Sequence, residues 1–311
     1  MQENRFVSII VPTFNEEKDI RRTMNALVTL TYQNREILII DDASTDRTPQ
    51  IVEQEYIGKY SLVKLMKQPI NRGVGAARNV GIRAAKGEIL IILNADVSLP
   101  SNFIESILCH YGSGADYVLV ANRVSNLDYV FPRYIEAQYH YFYDNASWIN
   151  WTEGFSCKRE AGLAVGGFPE IPGATGEDAV FGENLEKAGF RKIIDPGIVV
   201  THVAPATLRE YWTQRIGRGK GGPRVDFYVN GKSLFKIEIG LVKWMFVFIF
   251  ETILPVRRLF HSLQLLKYSP KGKKDFAQFF FVNFLEELAV LIGAWRGYLE
   301  IAKGGKNERL S

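Results

Sequence analysis

The chain has 311 residues, enough for one large domain and an appendage. Its net charge of +4 does not favour nucleic acid as a partner, and its basic residues cluster instead in two stretches, 209–224 and 257–274. The two cysteines, Cys109 and Cys157, lie in apolar contexts without zinc or disulfide spacing, so we expect two buried, reduced thiols.

The N-terminal part alternates short apolar runs with amphipathic segments. The runs at 6–12, 36–40, 61–67 and 89–93 predict four strands, and the segments between them predict three helices. This alternation, with short connections, predicts a mostly parallel, doubly wound α/β sheet flanked by helices. No basic and apolar leader precedes Phe6, so we expect no cleaved signal peptide and a catalytic part that stays in the cytosol.

Two of these strands run into polar clusters at their carboxyl ends. The second ends in Asp41 and Asp42, and the fourth in Asn94, Ala95 and Asp96. One such cluster is also typical of a solvated turn, but two at equivalent strand ends favour a ligand site, because ligands of open α/β sheets bind at that edge. Asp96 is therefore the first candidate for the chemistry.

A glycine pair after the third strand invites a dinucleotide-binding interpretation. Gly73 and Gly75 match the start of that fingerprint, but Arg78 occupies the position of its last glycine. No acidic residue follows the second strand at the required distance, so the sequence does not favour a Rossmann dehydrogenase.

The second half mixes strands and helices. Asp178 falls in the first turn of a predicted helix, where a carboxylate also compensates the helix dipole. His202 ends a predicted strand, and a glycine-rich basic loop is predicted at 217–222. The predicted strands are 117–121, 151–157 and 198–202, and the predicted helices are 129–143, 177–187 and 208–216.

Five segments, in this order, resemble the family 2 glycosyltransferases with the GT-A fold: 7–16, 40–48, 71–79, 94–96 and 176–178. The resemblance covers residues 5 to 222. It implies transfer of a sugar from a nucleoside-diphosphate sugar to an acceptor hydroxyl, with inversion in one displacement. The leaving diphosphate then needs a cation, and the hydroxyl needs a base.

The resemblance also implies roles for individual residues. Asp42 would pair with a ring nitrogen of the base, and the loop with Arg218 and Lys220 would close over the donor as a lid, unless it is a plain basic surface loop. The implied nucleotide-sugar-binding residues are Pro12, Thr13, Glu16, Asp41, Asp42, Arg72, Arg78, Asn94, Ala95, Asp96, Arg218 and Lys220.

By the same resemblance, Asp178 is the expected general base, with Glu177 beside it. Asp96 is the last acid of the Asp-x-Asp pattern and would hold Mg²⁺ or Mn²⁺, both of which prefer oxygen ligands. His202 would be a further metal ligand or a diphosphate contact, or else a structural histidine. Asn94 replaces the first acid of the pattern, which predicts a weaker metal affinity.

One departure concerns the number of sugars added. Processive polysaccharide synthases carry a Gln-x-x-Arg-Trp motif, and the segment 214–218 has the wrong spacing and no tryptophan. We therefore expect a single addition.

The C-terminal third holds two apolar stretches, 239–255 and 276–301. Charges interrupt both, so neither offers the roughly 20 uncharged residues that a spanning helix needs. Three alternatives stay open: helices in the membrane interface with basic residues facing anionic headgroups, helices packed on the catalytic domain or across a homodimer, and a spanning hairpin.

The sequence thus predicts a catalytic domain at 1–225, with a nucleotide-sugar half (1–115) and an acceptor half (116–225), and a membrane-associating or dimerising helical appendage at 226–311. The predicted function is an inverting, metal-dependent glycosyltransferase of polysaccharide or glycolipid biosynthesis. It would be peripheral or monotopic at the cytosolic membrane face and act on a glycan or polyprenyl-linked acceptor.

Two other functions are weighed against it. One is a non-catalytic nucleotide-sugar-binding partner of a membrane glycan-assembly complex, for which Asn94 is the only support. The other is a sugar nucleotidyltransferase, which is disfavoured because residues 13–17 lack a glycine-rich basic loop. The sugar, the base and the acceptor are not identified.

Overall fold

The computed structural model describes residues 4–145, 149–173 and 175–308. Its strands are β1 Val7–Thr13, β2 Arg35–Asp41, β3 Val63–Lys67, β4 Ile89–Ile92, β5 Val97–Ser98, β6 Tyr117–Val124, β7 Phe155–Lys158 and β8 Lys192–His202. Its α-helices are α1 Ile20–Val28, α2 Thr48–Glu55, α3 Val74–Ala84, α4 Phe103–Gly112, α5 Val130–Asn145, α6 Arg159–Ala164, α7 Glu177–Lys187, α8 Leu208–Arg224, α9 Leu234–Ile253, α10 Val256–Leu265 and α11 Phe276–Glu308.

The eight strands form one sheet in the order β3-β2-β1-β4-β7-β6-β8-β5. β1 to β4 are parallel, as the sequence predicts, because helical crossovers connect them. β7 then pairs antiparallel with β4 and with β6, and β5 pairs antiparallel with β8. The predicted α/β fold class is therefore confirmed, as a mixed sheet whose antiparallel strands all follow β4 in the chain.

Strand β1 shows why the sheet is covered on both faces. Ile9 and Ile10 are both fully buried, and successive strand residues point to opposite faces. Ile9 belongs to one apolar cluster with residues of α1, α2 and α4, and Ile10 belongs to another with residues of α3 and α7. Burial of each side chain contributes about 1.5–3 kcal/mol, so both helical layers are held to the same central strand.

Contacts group the chain into two compact units. The first comprises Met1–Arg123, Ser147–Glu170 and Glu177–His202, and the second comprises Val124–Ala146, Ile171–Gly176 and Val203–Ser311. The whole sheet except Val124 belongs to the first unit. The functional boundary expected at residue 225 stays a prediction.

The predicted loop at 217–222 is wrong, because α8 continues through it to Arg224. The helix begins at a capping box, in which Thr207 and Glu210 satisfy each other's backbone N–H groups. Its glycines allow close packing within the second unit: a Cβ on Gly219 would lie 2.2 Å from the carbonyl oxygen of Val290, and one on Gly293 would lie 2.2 Å from that of Ile216. Tight contact with α11 thus offsets the low helix propensity of glycine.

The charges that interrupt the second apolar stretch are paired inside this unit. The fully buried Arg215 has its Nε 2.8 Å from Oε1 of Glu286, and Arg258 has its Nη2 2.6 Å from Oε2 of Glu287. These acids therefore anchor α11 to α8 and α10, and do not form a solvated face of an interfacial helix.

Helix α9 is different, because most of its apolar side chains are exposed. Phe246 and Phe250 are 64% and 61% exposed, and Ile253 is 79% exposed, whereas only Ile237 and Leu241 are buried. A contiguous apolar surface of this kind is uncommon on a soluble monomer.

By length and composition, one helix in the described residues, Gly272–Gly304, could cross a membrane. A second candidate is the pair Leu234–Ile253 and Val256–Tyr268, which is bent by 77°. The core helices of soluble proteins meet the same criteria, so the three alternatives for this region are not decided by them.

Candidate active site

The predicted polar clusters lie at one edge of the sheet. β1 is flanked by β2 and β4, so Thr13, Asp41 and the turn 94–96 follow three neighbouring parallel strands. Thr13 pairs directly with Asp41 across the β1–β2 ladder. The placement at the carboxyl edge is the one that ligands of open α/β sheets use.

The loops after β1 and β2 are tied together through Asn15. Its Oδ1 accepts hydrogen bonds from the backbone N–H groups of Thr45 (2.8 Å) and Asp46 (3.3 Å). Asn15 and Ala43 both adopt a positive φ, of 59° and 60°, which is uncommon for residues other than glycine. Asparagine is a favoured N-cap residue, but Asn15 does not cap α1, because this helix begins only at Ile20.

Asp42 holds the loop that enters α3. Its Oδ1 accepts the N–H of Arg72 at 2.9 Å, and its Oδ2 accepts the N–H of Gly73 at 2.8 Å. Oδ2 accepts no other hydrogen bond from the described residues, so it retains a lone pair for a ligand donor. Asp41 keeps a buried Oδ1 with no hydrogen-bond partner in the described part of the chain. Both aspartates thus have unused acceptor capacity, and their contact with a nucleobase stays a prediction.

The turn after β4 is anchored by Glu153, which the sequence did not single out. β4 pairs with β7 so that Ile92 faces Phe155, and two more residues along this register bring Asn94 opposite Glu153. The two oxygens of Glu153 accept the backbone N–H and the Nδ2–H of Asn94, each at 2.5 Å. Asn94 is thus engaged within the protein.

The chain of polar contacts continues from Asn94 to Glu177. Oδ1 of Asn94 accepts from Nη2 of Arg78 at 3.2 Å, and Nη1 of Arg78 lies 2.7 Å from Oε1 of Glu177. The Arg78 guanidinium lies 5.0 Å from the ring centre of Trp151 and 5.1 Å from that of Phe168, so aromatic rings also hold it.

The acidic side chains at this edge have raised pKa values. Burial raises the pKa of Glu153 to about 8. The charge of Asp96 adds to this shift, whereas the hydrogen bond from the N–H of Asn94 lowers the pKa. Burial and the charges of Asp96, Asp19 and Asp46 raise the pKa of Glu16 to about 7. Burial, assisted by Asp19, also raises the pKa of Asp96. Protein cations therefore do not neutralise these acids.

The strand that follows Asp96 pairs with the end of β8, so that Val97 faces His202. The incompletely compensated carboxylate of Asp96 offers the oxygen ligands that Mg²⁺ and Mn²⁺ prefer, and the roles of Asp96 and His202 as metal ligands stay predictions. No group of three or more His, Cys, Asp or Glu residues that could hold a metal occurs in the described ranges, so the protein alone does not complete such a site.

The two acids at the start of α7 have different surroundings. Glu177 is buried and paired with Arg78; burial raises its pKa, which the guanidinium counteracts. Asp178 is half-buried, and its Oδ1 accepts the N–H of Ala179 at 2.7 Å. Asp178 is thus the more accessible of the two acids, and its role as the general base stays a prediction.

Arg218 and Lys220 belong to the second unit. Arg218 is exposed, and Nζ of Lys220 lies 2.6 Å from Oε1 of Glu300 on α11. The helix that carries them replaces the expected flexible lid, and their contact with a donor stays a prediction.

Comparison with known proteins identifies the fold. The sequence model of the family described as Glycosyl transferase family 2 matches residues 8–170, about half of the chain. The chain belongs to glycosyl transferase family 2. Its motifs at 94–96 and in the loops after β1 and β2 fall within the matched region. The resemblance drawn from the sequence is therefore confirmed.

Relatives in this family differ in the activities for which they are named. The glycosyltransferase AglE of Haloferax volcanii is 32% identical over 41% of this chain and 41% of its own length. The poly-β-1,6-N-acetyl-D-glucosamine synthase of Staphylococcus epidermidis is 25% identical over 91% of this chain and 72% of its own. The chain spans only 33% to 41% of the length of the first four curated relatives that it matches.

A solved structure resembles nearly the whole chain in fold. The mannosyltransferase PcManGT from Pyrobaculum calidifontis, in complex with GDP-Man and Mn²⁺, matches with a TM-score of 0.58 and 19% identity, over 97% of this chain and 76% of its own. At this identity the likeness shows the GT-A fold alone.

Proposed function

We propose that the chain is an inverting glycosyltransferase that moves one sugar from a nucleoside-diphosphate sugar to a hydroxyl of a glycan or lipid-linked acceptor. The observation that carries the proposal is the contrast at the start of α7. Asp178 is accessible, while its neighbour Glu177 is buried and locked to Arg78. Such a fixed helix start presents one carboxylate for proton transfer.

In the proposed reaction, the carboxylate of Asp178 takes the proton of the acceptor hydroxyl. The oxygen attacks the anomeric carbon from the side opposite the diphosphate. The bond from that carbon to the diphosphate oxygen breaks, and its electron pair leaves with the nucleoside diphosphate, so the configuration inverts.

The donor would bind at the carboxyl edge of β1, β2 and β4. Asp41 and Asp42 offer acceptor oxygens to the base. A divalent cation held by Asp96, with His202 as a second ligand, would supply positive charge against the diphosphate. The structure of PcManGT, solved in complex with GDP-Man and Mn²⁺, supports a donor and ion of this class.

Membrane association is part of the proposal. Its support is α9, whose apolar side chains are largely exposed, together with the basic stretch 257–274 that follows. Lipid-linked acceptors reside at such a surface. The cytosolic face expected from the sequence stays a prediction.

Release of nucleoside diphosphate from a panel of UDP- and GDP-sugars, with Mn²⁺ and candidate acceptors, tests the transfer. Asp178→Asn is expected to lower turnover by about 10²- to 10⁴-fold, because a general base contributes this much, and to leave nucleotide affinity unchanged. Asp96→Asn is expected to raise the Mn²⁺ concentration that turnover requires. Glu183→Gln, an exposed acid on the same helix, is the control.

Three outcomes would contradict parts of the proposal. Nucleotide binding without turnover of any donor would instead support the non-catalytic partner. Turnover by Asp178→Asn at the wild-type rate would exclude Asp178 as the base. A product that retains the donor's anomeric configuration, seen by NMR, would exclude inversion.

A further inference from the structure

The position of Glu153 is set by its neighbours in the chain. Oγ1 of Thr152 accepts the N–H of Val120 at 3.1 Å, and this hydrogen bond fixes Thr152, the residue before Glu153. Gly154, the residue after Glu153, has a φ of +81°, and a Cβ there would lie 2.6 Å from Cγ2 of Val200. Only glycine therefore suits position 154. The backbone therefore directs the Glu153 side chain to one place.

That place is the turn that carries Asp96. The Glu153 carboxylate accepts both N–H donors of Asn94, and it is buried. The Asn94 amide thus has a defined orientation, with its NH₂ group toward Glu153 and its oxygen toward Arg78. An asparagine at this position donates to an acid on one side and accepts from a guanidinium on the other, whereas an aspartate side chain has no N–H to donate to Glu153.

The same contacts connect the two ends of the proposed site. Asn94 is two residues from Asp96, and Arg78 pairs with Glu177, which precedes Asp178. Arg78 is almost fully buried, and the rings of Trp151 and Phe168 restrict its movement. A change at Glu153 therefore acts on both the metal-binding turn and the start of α7.

We infer that Glu153 is a positioning residue for the proposed glycosyl transfer. It supplies, from the segment before β7, the carboxylate that residue 94 lacks, and it holds Asp96 and Glu177 in the arrangement that a nucleotide and its cation need. Glu153 does not itself bind the donor. The inference rests on the proposed function and concerns how that site is held.

The test exchanges the hydrogen-bonding partners. Glu153→Gln alone places an NH₂ group against the NH₂ group of Asn94, and Asn94→Asp alone places two carboxylates together. In the double variant the new glutamine donates to the new aspartate, and that aspartate still accepts from Arg78. Glu160→Gln, an exposed acid in α6, is the control.

Calorimetry measures the binding of UDP and GDP with and without Mn²⁺, and kinetics gives kcat and KM for the best donor. Each single variant is expected to weaken Mn²⁺-dependent nucleotide binding by about 10- to 100-fold, the usual effect of removing a residue that orients a metal ligand. The double variant is expected to recover most of this loss, and binding without Mn²⁺ is expected to change little in any variant.

The outcomes separate the inference from the function on which it rests. Single variants with wild-type Mn²⁺ dependence, or a double variant no better than the weaker single, would overturn the inference while the transferase stands. Variants that lose stability but keep the Mn²⁺ dependence would make Glu153 merely structural. A wild-type chain that binds no nucleotide with Mn²⁺ would overturn the proposed function and the inference together.

Discussion

Negative charge accumulates around single residues at the carboxyl edge of the sheet. The charges of Asp96, Asp19 and Asp46 add to burial in raising the pKa of Glu16, and the charge of Asp19 adds to burial in raising that of Asp96, while Arg22 counteracts both shifts. In the absence of a bound cation, Glu16 and Asp96 therefore favour the protonated form. A divalent cation bound among these acids would relieve the repulsion between their charges.

The raised pKa of Glu16 makes stability depend on pH. The native state retains the Glu16 proton up to a pKa of about 7, whereas the unfolded chain loses it near the ordinary value of 4.5. The native state therefore binds more protons in this window, and the free energy of unfolding falls as pH rises through it. Glu153, with a pKa raised to about 8, extends this decrease in the free energy of unfolding to higher pH.

Glu16→Gln is accordingly expected to reduce the slope of unfolding free energy against pH, without abolishing it. Urea titrations at pH values from about 5 to 8, in the presence of a chelator, measure this slope. Glu160→Gln serves as the exposed control. An unchanged slope in Glu16→Gln would show that Glu16 titrates normally in the native state.

The packing of α8 against α11 explains why the glycine-rich segment 217–222 is helical. Gly219 of α8 and Gly293 of α11 lie at the closest approach of the two helices, with Cα atoms near enough that either Cβ would meet the partner's backbone. Ion pairs between α8 and α11, such as Arg215 with Glu286, fix the same contact. The pairing of these two helices therefore depends on residues without side chains.

Gly219→Ala is expected to destabilise the protein by about 1–3 kcal/mol, because overpacking outweighs the gain in helix propensity. Gly217→Ala, on the same helix, meets nothing within 4 Å and is expected to stabilise by about 0.5–1 kcal/mol. Chemical denaturation of both variants measures the difference in sign. Equal effects would mean that the two helices do not touch at Gly219.

At the scale of the whole molecule, the exposed apolar surface of α9 is a more unusual feature than the small net charge. The net charge is only +4, whereas α9 exposes a row of large apolar side chains. Pairing of the α11 charges within the second unit leaves α9 as the apolar surface most available to lipid. The membrane association proposed above predicts an interfacial helix here, because a largely exposed apolar helix is followed by basic residues.

The chain is expected to float with vesicles that contain phosphatidylglycerol, and less with neutral vesicles. Replacement of Phe246, Phe250 and Ile253 by serine should weaken this binding by tenfold or more, since each buried apolar side chain contributes about 1.5–3 kcal/mol. Replacement of the exposed Ile57 and Ile70 of the first unit by serine is the control. A detergent-free wild-type chain that ignores both vesicle types would exclude the interfacial helix, and resistance to alkaline extraction would indicate a spanning one.

Local patterns in the sequence were sufficient for much of the fold. Runs such as Ile89–Ile92 predicted the parallel strands, because a strand buried on both faces has few polar residues. The acids at the ends of β2 and β4 could also be assigned to one edge of the sheet. The carboxyl ends of parallel strands meet at the same edge whatever the order of the strands, so the strand order did not have to be known.

Contacts between distant segments could not be predicted in this way. Glu153 meets Asn94 only because β7 inserts antiparallel beside β4, and no periodicity in the sequence specifies that pairing. The helical conformation of 217–222 likewise depends on α11, which lies far along the chain. The dipeptide Glu153-Gly154 is a local signal for a turn, but it does not indicate which segment the acid contacts.

The orientation of the Asn94 amide has a consequence for how this sequence can change over generations. Because the oxygen serves Arg78 and the NH₂ group serves Glu153, positions 94 and 153 are not free to mutate one at a time. A lineage that acquires aspartate at position 94 first passes through a variant in which two acids face each other without an N–H donor between the side chains, unless position 153 has already changed. We therefore expect the two positions to behave as an epistatic pair, although one lies in the turn after β4 and the other in the turn before β7.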